Sequence, residues 1–186
     1  MEAVVRAIWV LALAAATFMG VMEAAVAPIV VPPERGYPAP GFKQPDPAAW
    51  LNSPPLDWAA LRGHVVVLEF WTFDCSNCYR SVPWLRTLEP RYGGRGLRIV
   101  GVHTPEFAHE SVRANVEARL RELDITYPVM LDGNYAFWNA FHNRYWPAFY
   151  LVDRQGRVRA AYAGETHAGD ANAAMAEAAI EALLAE

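Results

Sequence analysis

Apolar and polar positions alternate in short blocks along the chain. From His64 to Phe70 the chain runs apolar, broken only by Glu69. That pattern predicts a buried central strand. Ser76 to Arg91 follows with a helical pattern, capped near Ser76 or Asp74 and kinked by Pro83 inside it. Gly96 to Val102 reads as a second buried strand. Val112, Val116, Leu120 and Leu123 lie at helical spacing and predict a helix over His109 to Leu123. Tyr127 to Leu131 is short and ambiguous, and Tyr135 to Phe141 predicts one or two helical turns. Ala148 to Val152 and Arg157 to Ala163 flank Asp153-Arg154-Gln155-Gly156. Aspartate first and glycine fourth suit a type I turn, so these two runs form an antiparallel hairpin. Ala171 to Leu184 closes the chain as an amphipathic helix. The order β-α-β-α-β-β-α argues an α/β sandwich with a mixed sheet.

The first fifty-five residues have a different pattern. Arg6 is followed by an uncharged stretch, Ala7 to Met22, and then Glu23. A short basic region, an apolar core and small residues behind it resemble an export signal. Ala25-Val26-Ala27 offers a cleavage site, though Pro28 beyond it is a poor residue there. Residues 1–27 are therefore expected to be a signal peptide or an uncleaved membrane anchor. Either reading places the following domain on the periplasmic side. Pro28 to Pro55 holds nine of the fourteen prolines and reads as a Pro-rich linker and N-terminal extension. Its second half, with Trp50 and Leu51, is expected at the domain edge. Leu56 to Arg62 fits a short helix ending at Gly63. Residues 56–186 suit one compact domain.

Net charge is −4 with acids and bases interspersed, so the chain has no basic footprint for nucleic acid. The candidate chemistry lies in two cysteines, Cys75 and Cys78, the only ones in the sequence. They stand between the first buried strand and the helix. Two sulfurs in a first helical turn reach bonding distance without backbone movement. The helix N-terminus favours a thiolate there. A structural zinc site needs four ligands, and no second cysteine pair is present. A purely structural disulfide normally closes a longer loop. The strand–CxxC–helix context points to redox exchange. No metal is expected, and no cofactor beyond the dithiol itself.

The order of elements resembles the thioredoxin fold, a central mixed β-sheet with helices on both faces. The likeness rests on Trp71 and the two cysteines in W-x3-C-x2-C, on Glu69 six residues before Cys75, on Pro83 in the helix, and on Trp146-Pro147 before the hairpin. Within that superfamily the chain is similar to extracytoplasmic TlpA-like thioredoxins, and more narrowly to the thioredoxin domain of DipZ-type proteins. The motifs are Trp71 to Cys78, Gly101-Val102-His103-Thr104-Pro105-Glu106-Phe107, Ile125-Thr126-Tyr127-Pro128-Val129, Trp138 to Phe141, and Asn143 to Ala148. Ser76-Asn77 replaces the Gly-Pro that cytosolic thioredoxins carry between the cysteines.

The resemblance implies a thiol–disulfide oxidoreductase of the cell envelope. Cys75 is then the nucleophile, Cys78 the resolving thiol and Glu69 the acceptor of the Cys78 proton. Pro147 is expected to be cis, leaving the Trp146 backbone free for an extended substrate; Trp71 is expected to pack beside the site with some substrate contact. Oxidised protein thiols are the implied substrates, apocytochrome c among them. Without a membrane carrier segment, a membrane thiol electron donor of the DsbD/CcdA type is the expected partner. An oxidase direction uses the same residues. A peroxidase is a different chemistry. Thr72-x-x-Cys75 matches half of a peroxiredoxin signature, but Leu68 occupies its proline position.

Overall fold

The computed structural model describes residues 30–186. The expected signal or anchor, residues 1–27, lies outside them. Among the described residues no helix is long and apolar enough to cross a membrane.

Among the described residues the strands β1 (Tyr37–Pro38), β2 (Trp50–Leu51), β3 (Val65–Trp71), β4 (Leu97–His103), β5 (Val129–Leu131), β6 (Ala148–Val152) and β7 (Arg157–Ala163) form one sheet in the order β1-β7-β6-β3-β4-β5-β2. Its centre is β3, Val65–Trp71, in which all seven residues are buried. β-Branched side chains favour this setting. On one side β3 pairs in parallel with β4, Leu97–His103, and β4 pairs in parallel with β5, Val129–Leu131. On the other side β3 runs antiparallel to β6, Ala148–Val152, which forms a hairpin with β7, Arg157–Ala163. The hairpin matches the expected one residue for residue. The Gly156 N–H closes the turn on the Asp153 carbonyl at 2.9 Å, and Gly156 adopts φ 79°.

The helices are α1, Ser76–Tyr92; α2, Arg113–Glu122; α3, Ala136–Ala140; and α4, Ala171–Ala185. Alternation along β3 sorts the core. Val65, Val67 and Trp71 pack with the buried faces of α1, α2 and α4. Val66, Leu68 and Phe70 face an aromatic cluster with Phe137 and Trp138 of α3 and with Phe141. Glu69 shares the first face, so its carboxyl is directed toward the helix that carries Cys78.

Three expectations change. The stretch read as a Pro-rich linker supplies both edges of the sheet, its second half lying at the domain edge as expected. β1, Tyr37–Pro38, pairs with β7, and β2, Trp50–Leu51, pairs with β5. Trp50 is buried and its indole N–H donates to the Gln44 carbonyl, while Phe42 stacks on Phe137. Apolar aromatic side chains gain by burial even in a proline-rich segment. Leu56 to Arg62 forms turns rather than a helix; the Asp57 carboxylate accepts from the Ala60 N–H and Gly63 turns the chain at φ 82°. The helix expected over His109 to Leu123 is divided. A 3₁₀ turn, Ala108–Ser111, precedes α2, and Val112 between them is extended.

Candidate active site

Cys75 is the N-cap of α1. Its Sγ accepts the Cys78 N–H at 3.3 Å, so the cap expected at Ser76 or Asp74 is the first cysteine itself. Both cysteines are free thiols; Cys75 is half-buried and Cys78 is fully buried. The two thiols differ accordingly. Hydrogen bonding from Cys78, aided by backbone N–H groups of Cys78 and Asn77, outweighs burial and brings the Cys75 pKa down to about 7. Burial, with Cys75 beside it, pushes the Cys78 thiol far up. Thiolate character therefore collects on the accessible sulfur.

Glu69 lies fully buried below the dithiol. Tyr127 donates its hydroxyl proton to Glu69 Oε2 at 2.9 Å, and Oε1 has no partner. Burial raises the Glu69 pKa to about 8, the Tyr127 bond lowers it, and the charge on Cys75 adds to the rise. A carboxyl that titrates near neutrality is suited to exchange a proton with a neighbouring thiol. Gly101 stands opposite Glu69 in the parallel register. A Cβ at Gly101 would lie 3.1 Å from Trp71 Nε1 and 3.3 Å from Tyr127 Cε2, so glycine makes the room this cluster occupies.

The Trp146–Pro147 peptide is cis. Phe70 pairs with Ala148, which sets Pro147 across from Trp71, where the chain leaves β3 for Cys75. The Trp146 indole stacks on Trp138 at 4.2 Å and donates to the Thr104 carbonyl at 3.1 Å. Trp146 and Cys75 border the same core cluster. Trp71 packs beside the site as expected, edge-on to His103, but it is fully buried and its side chain offers no surface to a substrate. Its place at the end of an inward-facing alternation assigns it to the core.

Two residues near the site carried no role in the sequence reading. Tyr127 stood in a motif, at the start of a segment too short to assign. Glu110 stood in a predicted helix; it is instead a buried acid that accepts from Thr72 Oγ1 and from the N–H groups of Asp74, Glu106 and Phe107. Burial opposes its ionisation, yet these bonds prevail and its pKa falls below the usual range. Its signal was local, an acid three residues after Phe107, as in half of a capping box. His103, beside Thr72, is buried and its pKa falls to about 4, desolvation outweighing the attraction of Glu110. Asp74 turns outward and contacts His109 at 2.5 Å.

Known proteins are similar to this chain in sequence and fold. Protein DipZ of Mycobacterium tuberculosis is 47% identical over 126 residues, 66% of this chain and 18% of DipZ. The chain thus spans less than a fifth of that relative's length. Thiol-disulfide oxidoreductase YkuV of Bacillus subtilis is 28% identical over 138 residues, 74% of this chain and 89% of YkuV. The solution structure of a thioredoxin-like protein in the oxidized form superposes with a TM-score of 0.68 at 28% identity, covering 81% of this chain and 96% of that one. The fold is that of thioredoxin. The Redoxin family matches residues 34–180, a span that holds the dithiol, Glu69 and the cis-proline together, and this chain belongs to that family.

Proposed function

We propose that this protein reduces disulfides of cell-envelope proteins through Cys75-Ser76-Asn77-Cys78. It is a thiol–disulfide oxidoreductase of thioredoxin-like type, the activity named for its relative YkuV. The observation that carries the reading is the asymmetry of the two thiols. Cys75 is accessible with its pKa brought down to about 7, and Cys78 is buried with its proton held.

The Cys75 thiolate attacks one sulfur of a client disulfide. The client S–S bond breaks, a mixed disulfide forms, and the other client sulfur leaves as a thiolate. Cys78 then gives its proton to Glu69 and attacks Cys75 Sγ. The second client thiolate departs, and Cys75–Cys78 becomes the disulfide. Two electrons pass to the client. A thiol donor must return them, and a membrane carrier of the DsbD/CcdA type fits that need. A strongly stabilised thiolate would make an oxidant. The reducing direction is proposed from the likeness to thiol-disulfide oxidoreductases such as YkuV, and the reduction potential of Cys75–Cys78 tests it. The peroxidase alternative needs Thr72 aimed at the nucleophile, but its buried hydroxyl donates to Glu110.

The envelope location rests on the Arg6-led apolar stretch. A fusion of residues 1–55 to alkaline phosphatase is expected to be active, and a fusion retained in the cytoplasm would remove that location. For the chemistry, Cys78→Ser is expected to trap mixed disulfides with clients while Cys75→Ser traps none. Equal trapping by both variants would refute the division of roles.

A further inference from the structure

Two loops meet beside the nucleophile. Thr72 to Asp74 leads from β3 to Cys75, and Thr104 to Phe107 leads away from β4. One buried carboxylate joins them. Glu110 Oε1 accepts from the Thr72 hydroxyl and from the Asp74 N–H at 3.1 Å. Glu110 Oε2 accepts from the Glu106 and Phe107 N–H groups, both at 2.7 Å. Each oxygen therefore serves a different loop, and every partner is a donor. A buried carboxylate is costly unless such bonds compensate it. No neutral side chain offers two oxygens that accept and never donate.

We propose that Glu110 is a positioning residue for the dithiol, clamping the loop that carries Glu106 against the loop that carries Cys75 and so fixing which charges face the nucleophile. The proposal rests on the thiol–disulfide reading of Cys75. The groups concerned are Cys78 from α1, Glu69 from β3 and Glu106 from the clamped loop. Asp74, next in sequence, is turned to His109. Glu106 is exposed, yet its charge is felt at Cys75, where it raises the thiol pKa. Its backbone N–H is held by Glu110. A glutamine at 110 would present an NH₂ group to one pair of donors, leaving one loop unheld.

A double-mutant cycle tests this. Glu106→Gln, Glu110→Gln and the double variant are compared with the parent by iodoacetamide alkylation of Cys75 against pH, in folded, reduced protein. Glu106→Gln is expected to speed alkylation below neutrality by about threefold, since a repelling charge near the thiolate is gone. Glu110→Gln is expected to act in the same direction, because Glu106 loses its anchor. The two effects overlap, so the double variant is no faster than the faster single one. A wild-type pH profile in Glu110→Gln, or full multiplication of the two effects, would overturn the proposal. Should Glu110→Gln not fold, Thr72→Val withdraws one donor and keeps the carboxylate. Its smaller acceleration should vanish in the Glu106→Gln background, and an acceleration retained there counts against the clamp. Insulin reduction by the parent protein is measured alongside. Its absence would sink the functional reading, whereas the alkylation cycle judges the clamp alone.

Discussion

The Tyr127 hydroxyl and the Glu69 carboxylate form a buried pair, hydrogen-bonded at 2.9 Å, in the electrostatic neighbourhood of the resolving cysteine. The bond favours the ionised carboxylate and opposes the desolvation that drives its pKa upward. Tyr127→Phe removes only the hydroxyl. The Glu69 pKa then rises further, and the pH profile of insulin disulfide turnover moves to higher pH by about one unit, the scale of one charged hydrogen bond. A profile superimposable on the parent's would separate Tyr127 from the proton step.

Glu69 itself links function to stability. Its folded pKa, about 8, stands above the unfolded value, so the folded state prefers the protonated acid. The stability this group leaves intact at low pH is lost as pH rises from the unfolded value through about 8. Glu69→Gln keeps an acceptor for Tyr127 and removes that loss. The variant should be more stable than the parent at pH 8, with the advantage shrinking toward pH 4, as read by urea unfolding. The same variant should turn over insulin more slowly while Cys75 alkylates at close to the parental rate. Parental turnover across neutral pH would make Glu69 a structural residue.

Thiol labelling should follow the asymmetry of burial. In reduced protein, limiting iodoacetamide is expected to modify Cys75 first, with a midpoint near its pKa of about 7, and to leave Cys78 intact. Peptide mapping checks the order. Faster labelling of Cys78 would reverse the assignment.

Gly101 is held to its size by three neighbours. An added Cβ would meet Trp71 Nε1 and Val129 Cγ2 at 3.1 Å and Tyr127 Cε2 at 3.3 Å. Gly101→Ala is expected to destabilise the domain by about 1–3 kcal/mol, the usual range for overpacking. Thermal or denaturant unfolding checks it. A neutral result would mean that the cluster around Glu69 is looser than its geometry.

Trp50 tests whether the proline-rich segment belongs to the domain. The side chain is buried, at 2% exposure, although it lies in a two-residue edge strand. Trp50→Ala should cost about 3–5 kcal/mol, as for other buried aromatics. A loss below about 1 kcal/mol would return the segment to the role of a tether.

The central strands, α1 and the β6–β7 hairpin were legible because their signals are local. Val65 to Leu68 is apolar without interruption, and Asp153 and Gly156 specify their turn within four residues. The dithiol was legible from its spacing and from the strand before it. The edge strands were not. Tyr37–Pro38 and Trp50–Leu51 are two residues long and exist through partners far away, Val158 and Met130 among them. Prolines around them signal a linker more loudly than two paired residues signal a strand. The division before α2 escaped notice for a related reason. Glu110 leaves the helical pattern to satisfy donors 36 and 38 positions earlier in the chain, Asp74 and Thr72. Trp71 packs beside the site as expected, but motif proximity to the cysteines does not say how much of a side chain the sheet leaves exposed, and here it leaves none.

Cys75 closes the end of α1 with the same sulfur that performs exchange. An anionic sulfur holds the Cys78 amide more firmly than a neutral one does. Each redox change therefore alters the grip on the helix's first turn, and the helix in return biases the redox equilibrium by the same free energy. The Cys78 amide proton becomes a gauge of oxidation state. Its exchange with deuterium should be slowest when the thiolate is present and faster once the sulfur is bonded to another sulfur. The domain thus carries its own reporter, readable by nuclear magnetic resonance without substrate or dye.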